Sequence, residues 1–513
     1  MNLQVDPTMP NWEPFGRPLF DDPSVQSLSR VGVVDVGSNS VRLVIFDGAA
    51  RSPAYFFNEK VMCGLGSGLA DTGILNPEGR ERALRALARF QALADHMNMP
   101  PLSVVATAAV RDAEDGPAFR EEVKAETGLD VHVIDGEEEA RLSAQGVLLG
   151  WPDASGLVCD IGGSSMELAE LSDGTVGRRE TSNLGPLKLQ TIKGGRRGRQ
   201  AHIKDTIEAM HGRFGADRKR LFLVGGSWRA IAKIDMARQD YPLRVLHEYT
   251  MSAADLTKTA RFIAETDTDT LRGLAKVSST RMDLVPYAID VLTTLVRTFQ
   301  PTDIAISSYG IREGLLYEQM PPSVRDRDPL IEACHFAEDK DARSPGYGRR
   351  LFRFVLPLFP DASPQRLRLI KAACLLHDVS WRAHPDYRAE ACFDYATRSN
   401  LCGLDHAERV FLALALLHRY TKKRSGSRVE TLLPLLTSKQ VAQAELLGKA
   451  MRFGAMLWLR EGDLTAQLKW LPDNKQLELH LIDDARALFG EVAESRFQSL
   501  ASAVDAKPVV KLG

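Results

Sequence analysis

From Val31 to about residue 317, short β-branched runs alternate with polar turns and longer stretches whose apolar positions recur at helical spacing. Residues 31–36 (VGVVDV) and 41–46 (VRLVIF) flank GSNS, a pattern that predicts a β-hairpin. Residues 78–97 then predict a long amphipathic helix, 103–110 (SVVATAAV) a buried strand, 118–128 a helix closed by Gly128, 131–135 a strand and 137–150 (EEEARLSAQGVLLG) a further helix. At Gly156 the theme restarts. GLVCDIGG and MELAEL predict a second hairpin, followed by a basic helical stretch, a strand at 220–226 (RLFLVGG) and strand, loop and helix over 303–317. The distance between the repeats far exceeds the period of about 20–50 residues found in solenoid arrays, so it indicates domain duplication.

Beyond the Pro- and charge-rich stretch 321–329, read as a linker, strands nearly vanish and helical periodicity dominates, with a small strand unit at QLKWLP and QLELHLI. The expected fold class is therefore α/β, with two similar units at 30–150 and 151–322 and a mainly helical domain at 323–513. The Pro-rich residues 1–29 are expected to form a poorly ordered leader.

Composition narrows the class without choosing the chemistry. A chain of 513 residues predicts roughly three domains. Apolar content of 44%, charged content of 26% and a net charge of −2 argue against a polybasic nucleic-acid binder, so no nucleic-acid partner is expected and any anion must be met locally. No segment reaches the ~18 apolar residues of a membrane span, so no membrane partner is expected either. The six cysteines (63, 159, 334, 374, 392, 402) lack CxxC or zinc spacing; buried free thiols in a reducing, cytoplasmic setting are the expectation.

The hairpin turns carry the candidate chemistry. Asp35 precedes Gly37, Ser38, Asn39 and Ser40; Asp160 precedes Gly162, Gly163, Ser164 and Ser165. Glycines admit backbone N–H groups to an anion, hydroxyls add donors, and an aspartate can hold a divalent cation that bridges phosphate oxygens. Gly225, Gly226 and Ser227 open a third candidate, a helix N-terminus with free N–H groups. Each turn alone reads as an ordinary hairpin or cap; a duplicated pair plus a third Gly-Gly turn reads as a polyphosphate clamp.

DVGSNSVRLVI, ATAAVRDA, GEEEARLSAQGV, DIGGSSMEL, VGGSWRAIA and SSYGIREGLLY, in that order, resemble the exopolyphosphatase and guanosine pentaphosphate phosphohydrolase family, within the actin, sugar-kinase and chaperone ATPase superfamily. The resemblance covers residues 31 to about 317 and implies two ribonuclease-H-like domains closing on a cleft. It also implies a reaction, Mg²⁺-dependent release of terminal orthophosphate from inorganic polyphosphate, with guanosine pentaphosphate as the alternative substrate. By the same resemblance Glu139 is the general base, Asp160, Glu167 and Asp35 hold Mg²⁺, and Arg111 supports catalysis by gripping phosphate. Ser38, Asn39, Ser40, Gly162, Gly163, Ser164, Ser165, Gly226 and Ser227 contact phosphate, and Arg42 either joins them or faces solvent. A homodimer is the expected assembly. Three departures from the family pattern stand out: Ser164 replaces a glycine, Met166 a threonine and Ser227 a threonine. These keep open a catalytically weak polymer-binding protein, whereas no adenosine-pocket signature supports a kinase.

In the helical domain, His377-Asp378 resembles the metal-binding pair of an HD-like domain. The upstream histidine is replaced near Tyr347 and Gly348, and the distant acid by Gly454, while His384, His406 and His418 are not spaced to compensate. A metal-free relic with His377 as a satisfied core histidine is expected. A long polyanion needs a basic path, for which Lys193, Arg196, Arg197 and Arg199, then Arg349, Arg350 and Arg353, then 422–428, are candidates.

Overall fold

The computed structural model describes residues 30–47, 51–215, 220–320, 322–423, 426–459 and 466–512, which leaves the expected leader at 1–29 outside the described residues. The chain divides into two compact units, Met1–Arg327 and Asp328–Gly513.

The first unit holds two mixed sheets. β1 (Val31–Val36), β2 (Ser40–Phe46), β3 (Tyr55–Met62), β4 (Ser103–Ala106) and β5 (Val131–Val133) lie in the order β3-β2-β1-β4-β5. β6 (Gly156–Ile161), β7 (Met166–Ser172), β8 (Thr175–Ser182), β9 (Arg220–Val224), β10 (Thr250–Met251) and β11 (Asp303–Ile306) lie in the order β10-β11-β9-β6-β7-β8. Without β10, the second order repeats the first: three antiparallel strands, then two parallel ones. β1 and β6 are central and flanked on both sides, which is why each is almost wholly apolar apart from its aspartate.

Three buried clusters fill the space. One packs β1, β2 and β4 on the helix Pro77–His96 through residues such as Leu87 and Phe90, each side chain contributing about 1.5–3 kcal/mol by burial. A second packs the helices flanking the other face of the second sheet. The third joins both sheets through the helices Gly136–Gly150 and Ile311–Gln319. These two helices meet backbone to backbone, since a Cβ on Gly314 would lie 1.8 Å from the Leu142 carbonyl oxygen. That contact fixes where the N-terminal turn of each helix arrives.

Several local readings change. The strand expected over 103–110 stops at Ala106, and 108–112 form a short helix, because a short apolar run does not distinguish strand from buried helix. β3 and β8 were not expected; both are edge strands with much exposed polar surface, so neither shows a clear apolar run. Within the expected linker, Pro322–Arg325 is a helical turn.

In the second unit, helices including Pro329–Asp341, Tyr347–Val355, Pro364–Leu376, His406–His418 and Ser438–Gly454 surround an apolar interior. A three-stranded sheet, β12 (Ala466–Leu471), β13 (Gln476–Leu481) and β14 (Lys507–Leu512), completes it. His377 caps the end of its helix instead of lying within it, and its Nδ1 is 2.8 Å from the Cys374 carbonyl. The hydroxyl of Tyr347 donates to the Gly454 carbonyl at 2.9 Å, so the positions occupied by Tyr347, His377 and Gly454 converge. All six cysteines are buried and free. Among the described residues no helix is long and apolar enough to cross a membrane.

Candidate active site

Each hairpin folds its turn the same way. Gly37 N–H donates to the Ser40 carbonyl and Gly162 N–H to the Ser165 carbonyl, both at 3.0 Å. The two turns face each other closely enough for Ser164 Oγ to donate to Ser38 Oγ at 3.5 Å. Between them opens a cavity of about 430 Å³.

The predicted residues divide into those that line this cavity and those that stand beside it. Asp35, Ser38, Asn39, Ser40, Arg42, Glu139, Asp160, Gly162, Gly163, Ser164, Ser165, Gly226 and Ser227 line it. Arg111 and Glu167 do not; both adjoin Glu139. Arg111 Nη1 is 3.8 Å from Glu139 Oε2 and donates to the Ile134 carbonyl at 3.1 Å. The basic run at 193–199 does not line the cavity either.

Asp135 selects which of three consecutive glutamates faces the cleft. Its carboxylate accepts from Glu138 N–H at 2.8 Å and caps the helix, so 137–139 form the first turn. Glu137 is exposed, Glu138 pairs with Arg141, and Glu139 turns inward with only 6% of its surface exposed.

Three carboxyls share this interior. Asp160 and Glu167 face each other across β6 and β7, at the register positions that hold Asp35 and Arg42 in the first hairpin. Ser143 Oγ donates to Asp160 Oδ2, and Thr181 Oγ1 donates to Glu167 Oε1 at 3.0 Å. Glu139 Oε2 and Glu167 Oε2 are buried with no hydrogen-bond partner among the described residues. Burial, then the charges of Glu167 and Asp160, holds the Glu139 carboxyl well above the ordinary carboxylate range. Burial and Asp160 push Glu167 up to about 8, against hydrogen bonds from Ser165 and Thr181. Burial likewise raises Asp160, partly offset by Ser143.

Opposite these acids stand cations that the sequence reading did not single out. Lys60, Arg229, Arg281 and Arg312 line the cavity with Arg42. Arg312 Nη1 donates to Asp35 Oδ2 at 2.9 Å, so the first-loop aspartate is already partnered. Arg281 lies over Gly226, where a Cβ would fall 1.4 Å from its Nη1; glycine there leaves room for the guanidinium. Burial, then Arg281, Arg42 and Arg229, lowers Lys60 to about 8, and burial followed by Arg312 lowers Arg42 to about 10. Arg229 and Arg312 lie inside the motifs VGGSWRAIA and GIREG, so a signal was present. Lys60 and Arg281 carried none, because they come from separate segments that only the fold unites.

Among the described residues no group of three or more His, Cys, Asp or Glu is arranged to hold a metal unaided. The hard oxygen donors of Glu139, Asp160 and Glu167, two with an orphaned atom, nevertheless suit a hard divalent cation that takes one or two carboxylates and completes its shell with water and phosphate.

The repeated sheet order and the facing turns define an α/β protein with two similar halves whose hairpin turns share one cavity. The profile of the Ppx/GppA phosphatase family matches residues 44–323, and that of the exopolyphosphatase C-terminal domain matches 340–509. The chain belongs to the Ppx/GppA phosphatase family. It is 27% identical over 323 residues to exopolyphosphatase 1 of Mycobacterium tuberculosis, covering 59% of this chain and 92% of that one. It is also 27% identical over 381 residues to the guanosine-5'-triphosphate,3'-diphosphate pyrophosphatase of Pseudoalteromonas atlantica, covering 69% and 72%. Crystal structures of an exopolyphosphatase from Cytophaga hutchinsonii (TM-score 0.52, 24% identity, 57% of this chain and 98% of that one) and of the Aquifex aeolicus family member (TM-score 0.51, 23%, 58% and 99%) share the fold.

Proposed function

We propose that the protein is an exopolyphosphatase that releases terminal orthophosphate from inorganic polyphosphate. The observation that carries this reading is Glu139, a buried carboxylate with one oxygen that accepts no hydrogen bond among the described residues, on the wall of a cleft lined by two phosphate-sized Gly/Ser turns and a set of cations.

Phosphoryl transfer asks a protein for positioning, charge neutralisation and one proton acceptor. Backbone N–H groups and hydroxyls of 37–40, 162–165 and 226–227 would hold the terminal phosphate, while Arg42, Arg229 and Lys60 offset the charge of the units behind it. Glu139 would orient the attacking water and take its proton, with Arg111 steadying the carboxylate. Asp160 and Glu167 would hold Mg²⁺, which supplies positive charge to the phosphate oxygens. The raised pKa values fit this division, because three clustered acids resist joint ionisation until a cation enters among them. Asp35, expected at the metal, is better placed to anchor Arg312.

A cytoplasmic homodimer remains the assembly this reading favours, with 30–150 and 151–322 as the lobes and 323–513 as an HD-like appendage that has lost its metal. Guanosine pentaphosphate is a second substrate candidate, favoured by the similarity to the Pseudoalteromonas protein across 69% of this chain. Phosphate release from each substrate, at matched concentration with Mg²⁺, decides between them: a kcat/KM ratio favouring long polyphosphate supports the first reading, and the reverse supports the second.

A further inference from the structure

Several arginines of the second unit are neutralised by carboxylates. Arg343 grips Asp378 through two bonds of 2.7 Å, Arg368 is paired with Asp328, and Arg428 with Asp394. Arg350, Arg419 and Arg452 differ: their side chains make no hydrogen bond and no ion pair among the described residues. Arg350 Nε, Arg419 Nε and Arg452 Nη1 are nevertheless shut off from solvent. A buried donor without an acceptor is costly, and three together invite an anion.

These arginines belong to one constellation. The Arg350 guanidinium lies 5.1 Å from the Tyr347 ring centre, and the Tyr347 ring lies 5.3 Å from that of His377. Arg419 lies 4.7 Å from the ring of Tyr420, whose hydroxyl reaches the His377 carbonyl at 3.2 Å. Arg452 precedes by two residues Gly454, the acceptor of the Tyr347 hydroxyl. Two carboxylates lie nearby: Asp378, already occupied by Arg343, and the buried Glu338, which accepts from Gly348 N–H at 2.6 Å and feels the charge of Arg350 without bonding to it. Burial, then Arg496 and Arg419, lowers Arg452 to about 10, with no acidic group opposing the shift. Beside the cluster, Trp458 is 55% exposed with its ring 5.8 Å from that of Tyr347, a flat apolar surface next to unsatisfied positive charge.

We propose that Arg350, Arg419 and Arg452, around Tyr347 and His377, form an anion site in the second unit for a compact phosphate-bearing small molecule, separate from the cleft of the first unit. Guanidinium forks match phosphate oxygens, and the site needs neither metal nor catalysis. The inference does not depend on the hydrolase reading, because it concerns other residues and another unit.

The test is calorimetric titration of the full-length Glu139→Gln chain with tripolyphosphate, and separately with orthophosphate and with GTP. Two sites per chain are expected for tripolyphosphate. Arg419→Gln combined with Arg452→Gln should weaken one of them at least tenfold, with the melting temperature of the unliganded protein unchanged, and Arg281→Gln should weaken the other. Arg350→Gln alone, a milder change, should weaken the same site as the double variant. GTP binding as tightly as tripolyphosphate identifies a site that reads phosphate alone; GTP binding tenfold tighter, with the excess lost in Trp458→Ala, identifies one that also reads a base. A single site per chain, or two sites that neither the double variant nor Arg350→Gln affects, overturns the proposal.

Discussion

Replacing Glu167 by glutamine should make the protein more stable, and only at neutral to alkaline pH. The Glu167 carboxyl is 1% exposed, lies opposite Asp160 in register, and is pushed from the ordinary 4.5 to about 8, chiefly by burial and then by Asp160. A carboxyl whose folded pKa exceeds its unfolded one binds its proton more tightly in the folded state. Its contribution to stability is therefore complete below pH ~4.5 and is lost as pH rises to about 8. At about 1.4 kcal/mol per pH unit, the loss across that window is at most about 5 kcal/mol. Glutamine mimics the protonated acid and keeps the oxygen that accepts from Thr181. With divalent cations chelated, the melting temperatures of wild type and Glu167→Gln should coincide near pH 5 and separate progressively to pH 8, the variant being higher by several degrees. A separation that does not grow with pH, or a wild type that gains on the variant as pH rises, would refute the reasoning that burial and charge crowding dominate this interior.

Further outcomes follow from the same geometry. Lys60, lowered to about 8, should lose its charge as pH rises past that value, so kcat/KM should fall on that limb and Lys60→Arg should extend the plateau; an unchanged limb in the variant removes Lys60 from the substrate path. Gly226→Ala meets only the flexible end of Arg281 and Gly314→Ala meets the backbone of Leu142, so the first should raise KM with little change in melting temperature while the second should cost about 1–3 kcal/mol or more; chemical denaturation and steady-state kinetics separate the two. Arg312→Met strips Asp35 of its 2.9 Å partner and leaves a partly buried carboxylate unpaired, so stability should fall by about 3–5 kcal/mol, and by less in the double variant with Asp35→Asn.

The sequence exposed the parts of the site that repeat. Two aspartates ending apolar strands, each followed by a Gly/Ser turn, announced the duplicated lobes, whereas Glu139 was singled out by the family resemblance and not by the Asp135 cap that turns it inward. Edge strands β3 and β8 were not legible, because half-exposed strands carry weak apolar patterning. Nor was the cationic wall. Reading charge as contiguous runs drew attention to 193–199, whose lysine and arginines at 193, 196 and 197 are exposed, and passed over Lys60 and Arg281, single residues brought together only by the sheet edge and the turn after residue 277. The partnership of Asp35 with Arg312 spans two distant motifs and was likewise invisible until the two linking helices set their register.

The central claim is that Glu139 supplies the proton acceptor for hydrolysis of a phosphate chain, and the most direct test is orthophosphate release from long-chain polyphosphate with Mg²⁺ by wild type and Glu139→Gln. The account predicts release by the wild type and a fall in kcat of about 10²–10⁴ in the variant, with KM little changed and melting temperature not lowered. Release by the variant within tenfold of wild type, or no release by the folded wild-type protein, would contradict it.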